Sequence, residues 1–257
     1  MARDAPRVRL HLDAPLDAGA TVEIGRDQAN YLAAVLRLGE GERIAVFNGR
    51  DGEWAAVASR LSKRSGALAV EDRLRPPAAP PDLWLCFAPI KKTRTDFVVE
   101  KATELGARRV VPVMTRRTNA ERVNRERLQA HAVEAAEQCG LVFVPAVAEP
   151  VALGALLDGW PEGRRLMVCD ERAAGFGGAA PETLRPASAA LAAEARETPE
   201  PWAILCGPEG GFEDAEIERL SRLTGAIGVG LGPRVLRADT AAVAALALWQ
   251  ATLGDWR

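Results

Sequence analysis

A proline-rich stretch at residues 75–81 (RPPAAPP) constrains the organisation of this chain more than any other feature of its sequence. Proline fixes its own φ angle and stiffens the backbone, so a stretch of this composition is typical of a linker between domains. The chain of 257 residues is also long enough for two small domains. We therefore predict a first domain at residues 1–75, a linker at 76–81 and a second domain at 82–257.

Short apolar runs separated by turn residues precede the linker. Asn-Gly and Asp-Gly pairs between residues 48 and 52 are typical of tight turns, and a short helix is predicted with Asp27 as its N-cap and its end near Arg37. The predicted strands are residues 7–12, 43–47 and 54–61. Short strands around tight turns predict a small β-barrel.

Apolar strands alternate with helices after the linker. The predicted strands are residues 83–88, 109–114, 142–147, 166–169, 202–206 and 227–231. The predicted helices are residues 95–105, 124–138, 213–223 and 239–251. Asp239 or Thr240 is expected to cap the fourth of these helices, and residues 173–200 are expected to hold a loop and one surface helix. The alternation predicts an α/β domain with a mostly parallel sheet.

Composition excludes several classes of protein. The chain has no run of eighteen apolar residues, so no transmembrane helix is expected, and the three arginines in its first ten residues do not resemble a secretory signal. We therefore expect a cytoplasmic protein. The four cysteines form no C-x-x-C pair and there are only two histidines, so we expect no metal site.

Basic residues are concentrated in the first half of the chain. Residues 1–127 contain 23 Lys and Arg against 17 Asp and Glu, and residues 91–127 alone contain 11 against 5. A local basic face on an acidic protein suits a bound polyanion, although a solvated arginine-rich surface would have the same composition.

Two glycine-rich segments, residues 207–211 (GPEGG) and 230–241 (GLGPRVLRADTA), each lie between a predicted strand and a predicted helix. Glycine lets a ligand approach the bare backbone, and free N–H groups at a helix start bind polar ligand atoms. The first segment is not a P-loop, and the second departs from the glycine spacing of dinucleotide-binding proteins. Two such loops after strands of one sheet predict a single ligand-binding crevice.

Five segments together resemble one family. They are residues 31–41 (YLAAVLRLGEG), 100–106 (EKATELG), 134–138 (EAAEQ), 207–212 (GPEGGF) and 231–241 (LGPRVLRADTA). In this order they are similar to the small-subunit (16S) ribosomal RNA uridine N3-methyltransferases of the SPOUT superfamily. The similarity extends from Arg9 to the last helix. Each motif is weak alone, but the set is specific.

This resemblance implies an architecture and a reaction. The first domain would be a PUA-like RNA-binding barrel, and the second an α/β domain with a deep trefoil knot. The protein would work as a homodimer that transfers a methyl group from S-adenosylmethionine to small-subunit ribosomal RNA or the assembled 30S subunit, with no membrane and no metal involved. In three places the chain departs from the family pattern: Leu141 replaces a usual Arg, Asp239 a usual Glu and Glu213 a usual Ser. Because of the last departure, Asp214 is expected to cap the helix predicted at residues 213–223.

Candidate site residues follow from the motifs and from the chemistry. The expected cofactor-binding residues are Gly207, Pro208, Glu209, Gly210, Gly211, Leu231, Gly232, Leu236 and Thr240. Because uracil N3 must lose a proton, Arg237 is the candidate for stabilising the developing anion and Glu209 the candidate for general base. A helix cap or a salt bridge is the structural alternative for Arg237. The expected RNA-binding residues are Arg9, Arg37, Lys91, Lys92, Arg94, Arg116 and Arg117.

Two other functions remain open at this point. A nicotinamide-dependent oxidoreductase would explain glycine-rich loops in an α/β domain, but it predicts an intact dinucleotide fingerprint. A non-catalytic RNA-binding protein would explain the barrel and the basic segment, but not two ligand-binding loops.

Overall fold

The chain forms two compact units. The first comprises Met1–Ala79 and Ala136–Val144, and the second comprises Pro80–Ala135 and Pro145–Arg257. The division between residues 79 and 80 lies in the proline-rich stretch, whereas the inclusion of residues 136–144 in the first unit is not indicated by the sequence. The computed structural model describes residues 6, 8–119, 122–169, 185–196, 198 and 200–257.

Five described strands form the sheet of the first unit. They are β1 (Arg9–His11), β2 (Thr21–Ile24), β3 (Arg43–Phe47), β4 (Glu53–Leu61) and β5 (Gly66–Arg75). Their order in the sheet is β1-β3-β4-β5-β2, in which only β1 and β3 are parallel. Alternate side chains of β2 face a buried apolar cluster that includes Leu32, Ile44 and Leu68. The predicted β-rich first domain is thus present.

The short helix of this unit differs from its prediction. Helix α1 (Arg26–Asn30) begins after Gly25, so Asp27 lies in its first turn and is not its N-cap. A π-helical turn (Tyr31–Val35) continues it. Arg37 then has a φ of 56°, the one positive φ outside glycine among the described residues.

Arg9 connects the two chain segments of the first unit. Its Nε donates to Glu53 Oε1 at 2.6 Å, and its terminal nitrogens donate to the backbone carbonyls of Ala136, Glu137 and Leu141 at 2.6–2.8 Å. Most of the donor groups of this half-buried guanidinium are therefore used to hold residues 136–144 against the strands.

The second unit contains a parallel sheet with the order β12-β10-β11-β6-β7-β8, and β9 pairs with β7. Its described strands are β6 (Leu83–Phe87), β7 (Arg109–Met114), β8 (Ala146–Val147), β9 (Val151–Ala152), β10 (Arg165–Cys169), β11 (Trp202–Cys206) and β12 (Ala226–Val229). Its described helices are α2 (Lys92–Glu104), α3 (Arg125–Cys139, whose last four residues belong to the first unit), α4 (Leu153–Asp158), α5 (Ala187–Ala193), α6 (Asp214–Ser221) and α7 (Ala238–Thr252). The predicted parallel α/β domain is confirmed.

Several predicted boundaries are wrong. The strand predicted at residues 142–147 is reduced to β8. Glu213 caps α6 and forms a capping box with Glu216, so Asp214 is not the cap. The N-cap of α7 is Arg237 rather than Asp239 or Thr240.

Part of one further prediction lies outside the described residues. Of the loop and helix expected at residues 173–200, residues 173–184, 197 and 199 are not among those described, and the described helix is α5. In the part of the chain that is described, no helix is long and apolar enough to cross a membrane, and no cluster of three or more potential ligands could hold a metal ion.

Candidate ligand cavity and its ion-pair network

A cavity of about 660 Å³ lies at the carboxyl ends of three neighbouring strands of the second unit. Cys169, Cys206 and Val229, the last residues of β10, β11 and β12, form part of its wall. The rest of the lining consists of Pro186, Gly207, Pro208, Glu209, Gly211, Gly230, Leu231, Gly232, Pro233, Arg234, Val235, Leu236, Arg237, Ala238 and Ala241. The two glycine-rich loops therefore enclose one cavity, as a crevice at the ends of parallel strands requires.

Backbone geometry explains the glycines of both loops. The 207–211 loop closes as a turn in which the Gly211 N–H donates to the Pro208 carbonyl at 2.8 Å, and Gly211 has a φ of +66°. In the second loop Gly232 has a φ of +112°, and a Cβ added there would meet no atom within 4 Å. Both positions leave bare backbone at the cavity wall, where its polar groups are open to a ligand.

Most of the predicted cofactor-binding residues line this cavity. Gly207, Pro208, Glu209, Gly211, Leu231, Gly232 and Leu236 do so. Gly210 and Thr240 do not: a Cβ at Gly210 would point towards Arg117, and Thr240 lies in the first turn of α7.

Several lining residues were not predicted. They are the three strand ends, Pro186, and six residues of the second loop and the start of α7: Gly230, Pro233, Arg234, Val235, Ala238 and Ala241. The rule that ligands bind at the carboxyl ends of parallel strands would have found the strand ends. Pro186 reaches the cavity through a bridge to Gly230, a pairing between distant segments that no local pattern indicates.

Three charged side chains connect the two loops. Arg94 of α2 donates from Nε and Nη2 to the two carboxylate oxygens of Asp239, both at 2.7 Å, and a third nitrogen donates to Glu209. Hydrogen bonding to Arg94 is the main cause that lowers the pKa of Asp239, to about 2. The candidate base Glu209 is thus ion-paired, and Arg94, expected to contact RNA, has two carboxylate partners.

Two arginines at the cavity have no partner within the described residues. Arg234 and Arg237 are exposed and line the cavity, and their side chains make no hydrogen bond or ion pair to the described part of the chain. Val235, which lies between them in the sequence, is 76% exposed. A free cation beside a ligand cavity can stabilise negative charge that develops there.

The other predicted RNA-binding residues divide into exposed and engaged groups. Lys91 and Lys92, at the start of α2, and Arg37 of the first unit are exposed. Arg117 is exposed and donates to the Gly210 carbonyl at 3.0 Å. Arg116 forms an ion pair with Glu213, in which Nε lies 3.7 Å from Oε2. Arg9, described above, has most of its donor groups engaged within its own unit.

Comparison with known families identifies both parts of the chain. A family model described as "RNA methyltransferase domain" matches residues 77–250, and one described as "RNA methyltransferase PUA domain" matches residues 24–70. The two matches follow one another along the chain in the order expected from the sequence.

Relatives of known name or structure match over almost the whole chain. A protein from Synechocystis named ribosomal RNA small subunit methyltransferase E is 34% identical over 91% of this chain and 74% of its own length. A structure of the Neisseria gonorrhoeae protein of the same name, bound to S-adenosylmethionine, has 26% identity and a TM-score of 0.81, and covers 97% of this chain and 99% of that one. A Legionella pneumophila protein solved with the same cofactor has 28% identity and a TM-score of 0.82, over 96% of this chain and 98% of that one.

Proposed function

The chain belongs to the RNA methyltransferase family, and from this premise we propose that it transfers a methyl group from S-adenosylmethionine to N3 of one uridine in 16S ribosomal RNA. The names of the relatives support small-subunit RNA as the substrate, and the two cofactor-bound structures support the methyl donor. Work on ribosomal RNA implies a cytoplasmic location. The atom that accepts the methyl group is the specific part of this proposal.

The cavity suits S-adenosylmethionine in size and chemistry. Its volume of about 660 Å³ lies within the range of roughly 300–1,000 Å³ that small-molecule sites have. Apolar side chains such as Leu231 and Leu236 suit an adenine ring, and the bare backbone of the glycine loops suits polar ligand atoms. When bound, the cofactor supplies a methyl group activated on a sulfonium.

Arg237 carries the catalytic part of the proposal. Uracil N3 bears a proton and becomes an effective nucleophile as that proton leaves, so a nearby cation favours the anion that forms. Arg237 lines the cavity, is exposed and has no partner in the described part of the chain, so its charge is available to a substrate. Glu209 is the weaker proposal, as general base, because its carboxylate would first have to leave Arg94.

The deciding experiment incubates the protein with isotope-labelled S-adenosylmethionine and 30S subunits, with free 16S RNA in parallel, and identifies the product nucleoside by mass spectrometry. We expect 3-methyluridine.

Arg237→Ala should lower kcat by about 100-fold or more, while the affinity for S-adenosylhomocysteine changes by about threefold at most. Arg222→Ala, which removes an exposed pair with Glu218, serves as the control. A different methylated nucleoside contradicts the N3 assignment, and RNA binding without transfer favours the non-catalytic alternative.

We include the homodimer and the trefoil knot in this proposal. Helix α7 is apolar on nearly every side, and its half-buried residues Ala244 and Leu248 leave one side available to a second copy. The bridge between Pro186 and Gly230 brings two chain segments together beside the cavity, as a threaded chain would require.

A further inference from the structure

The side chain of Arg94 is held by two carboxylates within the second unit. Arg94 lies in the first turn of α2 and is only 25% exposed. It forms a bidentate salt bridge with Asp239, in which Nε and Nη2 each donate to one carboxylate oxygen at 2.7 Å. It forms a further ion pair with Glu209. A guanidinium presents its donors in a planar fork that matches a carboxylate, which an ammonium group cannot reproduce.

The two carboxylates belong to different walls of the cavity. Glu209 is in the 207–211 loop and lines the cavity directly. Asp239 is in the first turn of α7, next to Ala238 and two residues after Arg237, both of which line it. Among the described residues, no other side chain forms ion pairs with both loops.

The net charge of this cluster argues against a direct role in RNA binding. One guanidinium between two carboxylates carries a net charge of −1, which repels a phosphate instead of attracting it. Three nitrogens of the guanidinium already donate to carboxylate oxygens. The lysines at the start of the same helix, Lys91 and Lys92, have no such partners in the described part of the chain.

We propose that Arg94 is a positioning residue that fixes the start of α7, and with it Arg237, relative to the 207–211 loop. The inference rests on the proposed function, because it assigns Arg94 to the assembly of the methyltransferase site. Because Arg94 holds both walls in place before a ligand arrives, cofactor binding does not have to order them. Arg94 also sets the direction in which the side chain of Arg237 enters the cavity.

The test compares Arg94→Lys with Arg94→Ala, with Arg222→Ala as a matched arginine control. We expect Arg94→Lys to keep a melting temperature within a few degrees of wild type. Its affinity for S-adenosylhomocysteine should fall about tenfold or more in calorimetry, and kcat should fall by a similar factor while KM for RNA changes by less than about threefold. Arg222→Ala should match wild type in all four quantities, since its pair with Glu218 is exposed.

A double substitution and a milder variant make the test decisive. Because Arg94 and Asp239 act as one unit, Arg94→Ala/Asp239→Ala should bind S-adenosylhomocysteine no more weakly than the worse single variant. Glu209→Gln removes only the ion pair between Arg94 and the exposed Glu209. It should lose less affinity for S-adenosylhomocysteine than the Arg94 variants do, and its melting temperature should be unchanged.

The possible failures point to different conclusions. If Arg94→Lys binds S-adenosylhomocysteine as wild type does and keeps its kcat, Arg94 does not position the site. If its only defect is a raised KM for RNA, Arg94 contacts RNA directly and the inference is wrong. If the wild-type protein itself neither binds S-adenosylhomocysteine nor methylates RNA, the proposed function fails and the inference fails with it.

Discussion

Gly207 lies directly against the ring of Phe212: a Cβ atom at Gly207 would be only 2.8 Å from Cε2 of that ring. Phe212 is 1% exposed and belongs to the apolar core of the second unit, so the ring has little room to move away. At Gly210 a Cβ would instead lie 3.5 Å from Cδ of Arg117, which is ordinary van der Waals contact. Two glycines of one loop therefore differ in their tolerance of a side chain.

This difference predicts unequal effects of the same substitution. Gly207→Ala should lower the free energy of unfolding by about 1–3 kcal/mol, because a methyl group is forced against a packed ring. It should also weaken S-adenosylhomocysteine binding, since the displaced loop lines the cavity. Gly210→Ala, the matched control, should change both quantities much less. Urea unfolding and calorimetry measure them, and equal losses in the two variants would refute this account of the loop.

Elements with a strong local pattern were predictable from the sequence. Strands β3, β7 and β11 have the predicted bounds, because each is a compact apolar run with clear ends. Strands β2 and β5 were not predicted. β2 has only four residues, which alternate between exposed and buried. β5 starts with the short apolar run at residues 67–70, but its second half is exposed and rich in charge, so no single pattern extends over the whole strand.

The candidate site was predictable to the extent that it is local. The two glycine loops were found because each joins a strand to a helix within a few residues. The ion pair of Arg94 with Asp239 was not, since 145 residues separate the partners and neither has a neighbour in sequence that indicates the other. The engagement of Arg9 with residues 136–141 was missed for the same reason.

The ion pair of Asp239 predicts how stability depends on pH. Asp239 has a folded-state pKa of about 2, below its ordinary value, and a carboxylate with a lowered pKa stabilises the folded protein above its unfolded pKa of about 4. That contribution is lost as the pH falls from about 4 towards 2. We therefore expect Asp239→Asn to be less stable than wild type at pH 7, and this difference to shrink progressively below about pH 4. Urea unfolding at several pH values measures it, and a difference that grows on acidification would contradict the ion pair.

The proposed dimer can be tested on helix α7. We expect light scattering at micromolar concentration to report about twice the mass of one chain. A glutamate in place of Ala244 or Leu248, which lie one helical turn apart and are half-buried, should produce monomers because it puts a charge into an apolar contact. Ala251→Glu, at an exposed position of the same helix, should remain dimeric. A wild-type mass of one chain would rule the dimer out.

Removal of the first domain is a poor test of RNA binding in this protein. Arg9 and Arg75 hold residues 136–144 through backbone carbonyls that include those of Leu141 and Gly140, so deletion of residues 1–75 would leave the end of α3 without its partners. A loss of activity after truncation would then report damage to the fold as readily as a loss of RNA contacts. Point substitutions at exposed lysines avoid this problem.

Lys91 and Lys92 provide that cleaner test. Both are exposed at the start of α2 and have no ion pair within the described residues, so their charges are available to phosphates. Lys91→Ala/Lys92→Ala should raise KM for RNA and lower the slope of log affinity against log salt by about 2, since each phosphate contact releases about one counterion. The affinity for S-adenosylhomocysteine should stay within about twofold of wild type. Lys101→Ala, which removes a half-buried lysine paired with Glu104 on the same helix, controls for the loss of charge alone. An unchanged salt slope in the double variant would show that the start of α2 does not contact the RNA backbone, and a weakened cofactor affinity would mean that these lysines act on the cavity instead.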